Sequence, residues 1–245
     1  MARLEAVEGP GERNRAEGNR VQLSSLHGGR DALRYRVPAG SAQGELVIKK
    51  SVFVATVGHA PTESAARAFV ARVRDRHADA SHNAWAFKID GGSQPLVGSS
   101  DDGEPGGTAG RPMLGALDAS GLLEVVAVVT RYFGGVKLGT GGLVRAYGGA
   151  VREGLRGLPT MERVLHHVVR VVVDYAAYGG LRHLLPRYGA RVIDASFSDK
   201  ASLEMAVPYD RWNEVTSLVQ EVTNGRTLLG EHRLGDRYYP DPGKE

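Results

Sequence analysis

The chain contains no cysteine at all. Disulfide scaffolds, zinc–thiolate clusters and thiol nucleophiles are therefore excluded, because nothing can supply the sulfur. No run approaches the ~20 apolar residues that a membrane span requires. The first twenty residues are crowded with Arg and Glu and have no apolar stretch, so they do not read as a secretory signal. These absences make a cytoplasmic protein the expectation, with no membrane contact and no disulfide partner. Aromatic residues are sparse, at 7%, while 42% of the 245 residues are hydrophobic, enough for an ordinary globular core. Several motifs are missing too. There is no H-E-x-x-H, no G-x-S-x-G elbow and no G-x-x-x-x-G-K-[ST] loop, and Val144 stands where a dinucleotide fingerprint would need glycine.

Charge matters by place. The net formal charge is +3, from 31 basic and 28 acidic residues. Residues 1–50 carry 9 basic and 6 acidic groups, and residues 111–160 carry 6 and 3. The second excess falls in a glycine-rich stretch in mid-chain. Residues 1–30 are polar and lack periodicity, and are expected to be a disordered extension. A short edge strand is expected over 33–37 and a longer strand over 45–57, rich in β-branched residues. Thr62 can cap a helix over 62–77, on which Ala66, Phe69, Val70, Val73 and His77 share one face. Strands follow over 84–89 and 95–98, then a short helix over 112–119. Residues 124–133 are continuously apolar, the pattern of a central strand buried on both faces. A helix over 142–158 ends at Pro159. Beyond it the order is strand 163–174, helix 178–188, strands 191–197 and 201–207, helix 212–223 and strand 227–233. That β-α-β-β-α-β order is ferredoxin-like, and it sets a domain boundary near Pro159. The expected map is an extension over 1–30, a first domain over 31–159, a second over 160–235 and a loose tail over 236–245.

Two polar, glycine-rich segments carry the chemistry. One is residues 99–110 (SSDDGEPGGTAG) and the other residues 131–147 (RYFGGVKLGTGGLVRAY). Glycines at a strand-to-helix turn let backbone N–H groups surround an anion, and the helix N-terminus adds partial positive charge. Arg131, Gly134, Gly135, Lys137, Gly139, Gly141, Gly142 and Arg145 are thus the candidates for binding an anion or RNA. Close packing explains the same glycines equally well. Asp101, Asp102 and Glu104 are candidate ligands for a divalent cation, or else helix caps and partners of arginine; His82 joins them as a candidate polar group. Thr108 reads as a helix cap. Trp85, Tyr132, Phe133 and Tyr147 are candidate base-stacking groups, although aromatics on strands are more often core. His166 and His167 point to opposite faces of a strand and cannot ligate together.

These two segments, together with residues 48–57 (IKKSVFVATV) and the pattern from His77 to Ala86, closely resemble the signature of the YigZ/IMPACT family. Ala84 stands where many members carry Cys. The resemblance covers residues 45–158 strongly, and the remainder to about Arg233 at the level of domain order. It implies an α+β protein of two domains, the first like domain 2 of ribosomal protein S5. The second would be ferredoxin-like, similar to the last domain of elongation factor G. Eukaryotic relatives are linked to translational control through an additional domain that this chain lacks. What the resemblance implies is a non-catalytic binding or regulatory protein without a cofactor, whose partner is RNA, the ribosome or a ribosome-associated protein. The alternative is a phosphate- or nucleotide-handling enzyme using the glycine loop and a metal at the acidic loop.

Overall fold

The structure, a computed structural model, describes residues 34–91, 94–227, 229 and 232–240. The expected extension over 1–30 lies outside them. The chain builds two antiparallel sheets with helices against each, an α+β architecture of two domains.

The first sheet is ordered β2-β3-β6-β4-β5, from β2 (Ser41–Ile48), β3 (Ser51–His59), β4 (His82–Ile89), β5 (Leu96–Ser100) and β6 (Val125–Tyr132). β6 lies at its centre, and alternate side chains feed two cores. Ala127 and Val129 pack with Phe53, Ala84 and Ala86 beneath α2 (Gly110–Ser120) and α3 (Thr140–Arg156). Val126 and Val128 pack on the other face with Phe69, Val70 and Val73 of α1 (Glu63–Arg76). A strand whose two faces are both buried needs no alternation, hence its unbroken apolar run. Thr62 caps α1 as expected, its side chain accepting from Ala65 N–H.

One expected strand proves to be a hairpin. Residues 45–57 are the ends of β2 and β3, joined by a two-residue turn at Lys49-Lys50 with Ile48 opposite Ser51. Both lysines have positive φ, 46° and 68°. Such a turn matches the strand twist but favours Asn and Gly, and lysine is strained there.

The second sheet contains β7 (Thr160–Val173), β8 (Arg191–Phe197), β9 (Ala201–Pro208) and β10 (His232–Pro240). β10 pairs β7, β7 pairs β9 and β9 pairs β8, all antiparallel. α4 (Tyr175–Leu184) and α5 (Trp212–Val222) cover one face over Val169, Val171, Leu203 and Met205. This is the β-α-β-β-α-β plan, with two corrections. The last strand is not residues 227–233 but β10, which runs on to Pro240, so residues 236–240 are not a loose tail; residues 241–245 lie outside the described ones. And β1 (Arg34–Pro38) does not edge the first sheet. It pairs the start of β7, Arg34 opposite Val164 and Pro38 opposite Thr160. His166 and His167 do separate: His166 bonds the Val164 carbonyl, whereas His167 lies among Tyr209, Trp212 and His232. Burial, helped by the neighbouring histidines, pulls His167 down to about 4.

The joint between the sheets is polar. Glu124, fully buried and at φ 54°, accepts from Tyr35 Oη at 3.0 Å, bonds His59 Nε2 at 2.8 Å and pairs with Arg163. The same Tyr35 hydroxyl, with a single proton to share, also lies 2.9 Å from Asp90 Oδ2. Burial pushes the Glu124 carboxyl up, but the bonds from His59, Arg163 and Tyr35 outweigh it and hold it below its ordinary value. Replacing Glu124 by Ala removes the buried carboxylate that His59, Tyr35 and the half-buried Arg163 share, and urea unfolding should show a loss of about 1–3 kcal/mol. Replacing Lys49-Lys50 by Asn-Gly should instead raise stability by about 1 kcal/mol through relief of the turn.

Candidate anion-binding site

Arg131 is the anchor. It stands near the end of β6, opposite Phe53 of β3 and His82 of β4, and is only 6% exposed. A charge so buried must be matched. Glu104, at the turn of the acidic loop, accepts from Arg131 Nη1 at 2.6 Å and from Tyr147 Oη of α3 at 2.7 Å. The Arg131 guanidinium also lies 5.4 Å from the rings of Phe53 and Phe133. Burial, then the Glu104 carboxylate, drive the Tyr147 hydroxyl well above its usual range, so it stays a donor. One polar atom is left over. Arg131 Nε is buried and has no partner among the described residues.

The acidic residues do not converge. Asp101 accepts from the backbone N–H of Gly107, Ala109 and Gly110 at 2.8–2.9 Å, and so closes the N-terminus of α2. Thr108, expected as that cap, instead donates to the Pro105 carbonyl at 2.6 Å. Burial raises the Asp101 carboxyl, but the three N–H bonds prevail and keep it below its ordinary value. Asp102 accepts from Arg74 at 3.0 Å and from Asn83 N–H at 2.7 Å. His82 Nδ1 bonds the Asp102 carbonyl at 2.8 Å, which fixes Nδ1 as the protonated nitrogen. Among the described residues no three His, Asp or Glu side chains form a metal-holding group; each carboxylate of the expected cluster already serves the loop.

The glycines divide between packing and the site. A side chain at Gly134 would overlap the Lys50 carbonyl, so the hairpin tip rests directly on this loop, and Ser51 Oγ accepts from Gly134 N–H at 3.1 Å. Gly139, at φ 72°, is the N-cap of α3 and offers it no side-chain bond. The first turn holds Gly141 and Gly142, with no acidic residue. Arg145 is exposed and lies back over Gly141, its guanidinium 3.8 Å from where a Cβ would stand. Lys137 and Gly135 are exposed on the loop itself. A pocket of about 430 Å³ opens between these parts, lined by His82, Glu104, Arg131, Phe133, Lys137 and the start of α3. It therefore joins buried Arg131, Lys137 and Gly139 of the basic set to His82 and Glu104 of the acidic one. Asp101 and Asp102 are not among its lining residues.

The family model of the Impact N-terminal domain matches residues 49–155, the whole of this site, and a domain of unknown function, DUF1949, matches residues 171–226. "IMPACT family member YigZ" of Escherichia coli is 39% identical over 79% of this chain and 95% of its own. The chain belongs to the IMPACT family. "IMPACT family member YvyE" of Bacillus subtilis is 37% identical over 79% of this chain and 89% of its own. A crystal structure of a hypothetical protein, 36% identical, aligns over 80% of this chain and 96% of its own with a TM-score of 0.55. No helix among the described residues is long and apolar enough to cross a membrane.

Within this IMPACT family fold, sequence reading left out Tyr147 as the partner of Glu104, and Lys49 and Lys50 as exposed cations beside the loop. The second was in view as a strained pair, had the turn been read. Of the four aromatics weighed for stacking, Tyr147 is core and Phe133 is half exposed. Ala84 is fully buried under the same core. Replacing Asp101 by Asn should cost about 1–3 kcal/mol at neutral pH, since hydrogen bonds to a charged acceptor are lost or weakened. Because the folded carboxyl is held low, its contribution is present above the unfolded value near ~3.9 and is lost as pH falls through the folded one. The gap between variant and wild type in unfolding free energy should therefore close in acid.

Proposed function

We propose that this protein is a non-catalytic binding or regulatory protein of the translation apparatus, which contacts RNA or a ribosome-associated factor through the pocket at the start of α3. The observation that carries the reading is Arg131: a nearly buried guanidinium with an unpartnered Nε, beside a helix N-terminus that has no side-chain cap. Helix N-termini and buried arginines both favour phosphate oxygens. From Arg131 to Arg152 the chain has Lys137 and Arg145 but no acidic residue, and both side chains are exposed. The translational context comes from the family resemblance, whose eukaryotic members are linked to translational control. The enzymatic alternative has less support. Its metal would need Asp101, Asp102 and Glu104 together, and these hold other partners.

Phosphate contacts release counterions, so association with RNA or ribosomes should weaken steeply with salt. Lys137→Ala and Arg145→Ala change exposed side chains, and each should lower affinity and reduce the salt slope by about one. Filter binding of RNA and ribosome cosedimentation across a salt series measure this. A wild-type protein that associates with neither at low salt overturns the reading.

A further inference from the structure

We propose that the Lys49-Lys50 turn between β2 and β3 is an RNA-backbone contact, a tip that holds two lysines out to phosphates without reading sequence. The inference rests on the RNA reading above and deepens it, adding a contact outside the pocket.

Strain without an internal use is the observation that carries it. Lys49 and Lys50 have φ of 46° and 68°, a conformation in which Asn and Gly are at ease and lysine is not. Both are exposed. Among the described residues neither side chain makes a hydrogen bond, an ion pair or a ring contact. Backbone strain survives where the surroundings impose it, and it collects at functional positions. Here the seat is visible. The Lys50 carbonyl lies where a side chain at Gly134 would stand, and buried Ser51 accepts from Gly134 N–H at 3.1 Å. The turn is thus fixed from below, and its two ammonium groups face outward.

The same end of the domain gathers other cations. Gly44 of β2 lies against Glu153 and Gly154 of α3, and Leu46 lies against Gly149. The hairpin therefore runs back along α3, and its tip comes beside the first turns of that helix. Arg145 is exposed there, and Lys137 follows three residues after Gly134. Among the described residues none of these four cations is ion-paired, unlike Arg67, Arg74, Arg156 and Arg211. The hairpin supplies no carboxylate to neutralise its own tip. Its nearest one along the chain, Glu45, is four residues before Lys49. That is about 13 Å along an extended strand, beyond the ~10 Å Debye length at 0.1 M salt. An ammonium is a point charge with three donors, which suits phosphate oxygens in any orientation and carries no base information.

The test uses the full chain and two single-stranded RNAs of equal length and different sequence, by fluorescence anisotropy over a salt series. K49N/K50G removes both charges and relieves the turn; K49Q/K50Q removes the charges and keeps the strain. Each should weaken binding of both RNAs alike, about tenfold or more at ~0.1 M salt, and lower the salt slope by about 1.4, the share of two phosphates on a single strand. K49N/K50G should do so while its urea midpoint rises, so that lost binding cannot be lost folding. Wild-type affinity and slope in both variants overturn the contact and leave the RNA reading standing. A wild-type protein that binds neither RNA at low salt removes the RNA reading together with it. Loss in K49N/K50G alone traces the effect to the shape of the turn and overturns the role of charge. Variants that bind free RNA normally but no longer cosediment with ribosomes assign the turn to an acidic protein partner instead, which also overturns it.

Discussion

Arg131 brings a positive charge to the place where the first sheet meets α3, and the fold can bury it there only because Glu104 comes to meet it. Glu104 belongs to the acidic loop, Tyr147 to the second turn of α3, and Arg131 to the central strand. One carboxylate oxygen thus ties three segments that are distant in sequence. Removing Glu104 would leave an unmatched buried cation, which is far worse than never having buried the pair. The geometry of the pocket follows from this knot. Asp101, three residues before Glu104, bends the loop around its own backbone N–H groups and starts α2, and Asp102 ties the same loop to α1 and β4. The carboxylates that look like metal ligands in one dimension are the fasteners of the site's wall.

A second buried carboxylate does comparable work between the domains. Glu124 sits at positive φ just before β6, and its bonds reach β3 through His59, β1 through Tyr35 and β7 through Arg163. The central strand is therefore held at both ends by a buried acid–base contact, Glu124 entering it and Arg131 leaving it. Between them its side chains are apolar apart from Thr130, which donates to Asn83.

Much of the architecture was legible because burial leaves periodic marks. β6 shows as an unbroken apolar run, α1 as a capped amphipathic helix, and the second domain as alternating short strands and helices. What escaped was non-local or chemically disguised. Lys49-Lys50 carries no turn signature, so two strands read as one; only the pairing of Ile48 with Ser51 reveals the hairpin. The sheet to which β1 belongs depends on partners far along the chain, which no local window contains. At the site, the glycines were rightly seen as serving either packing or binding, and they divide: Gly134 admits the hairpin tip, and Gly139 leaves α3 open. The roles of Asp101 and Glu104 are set by distances that spacing cannot supply.

β7 is 14 residues long and serves as a shared beam. β10 lies along one edge, while β1 and β9 follow each other along the other, over Thr160 to Val164 and His166 to Val173. During synthesis this imposes an order. The first sheet has all its strands once β6 has emerged, yet β1, made before any of them, stays unpaired until Thr160 to Val164 have been translated. Arg34 and Val164, opposite each other in the finished sheet, are separated by the whole first domain. Long-range pairing of this kind comes late and slowly in folding, so the seam between the domains is sewn by the oldest strand of the described chain, after the parts it joins are already in place.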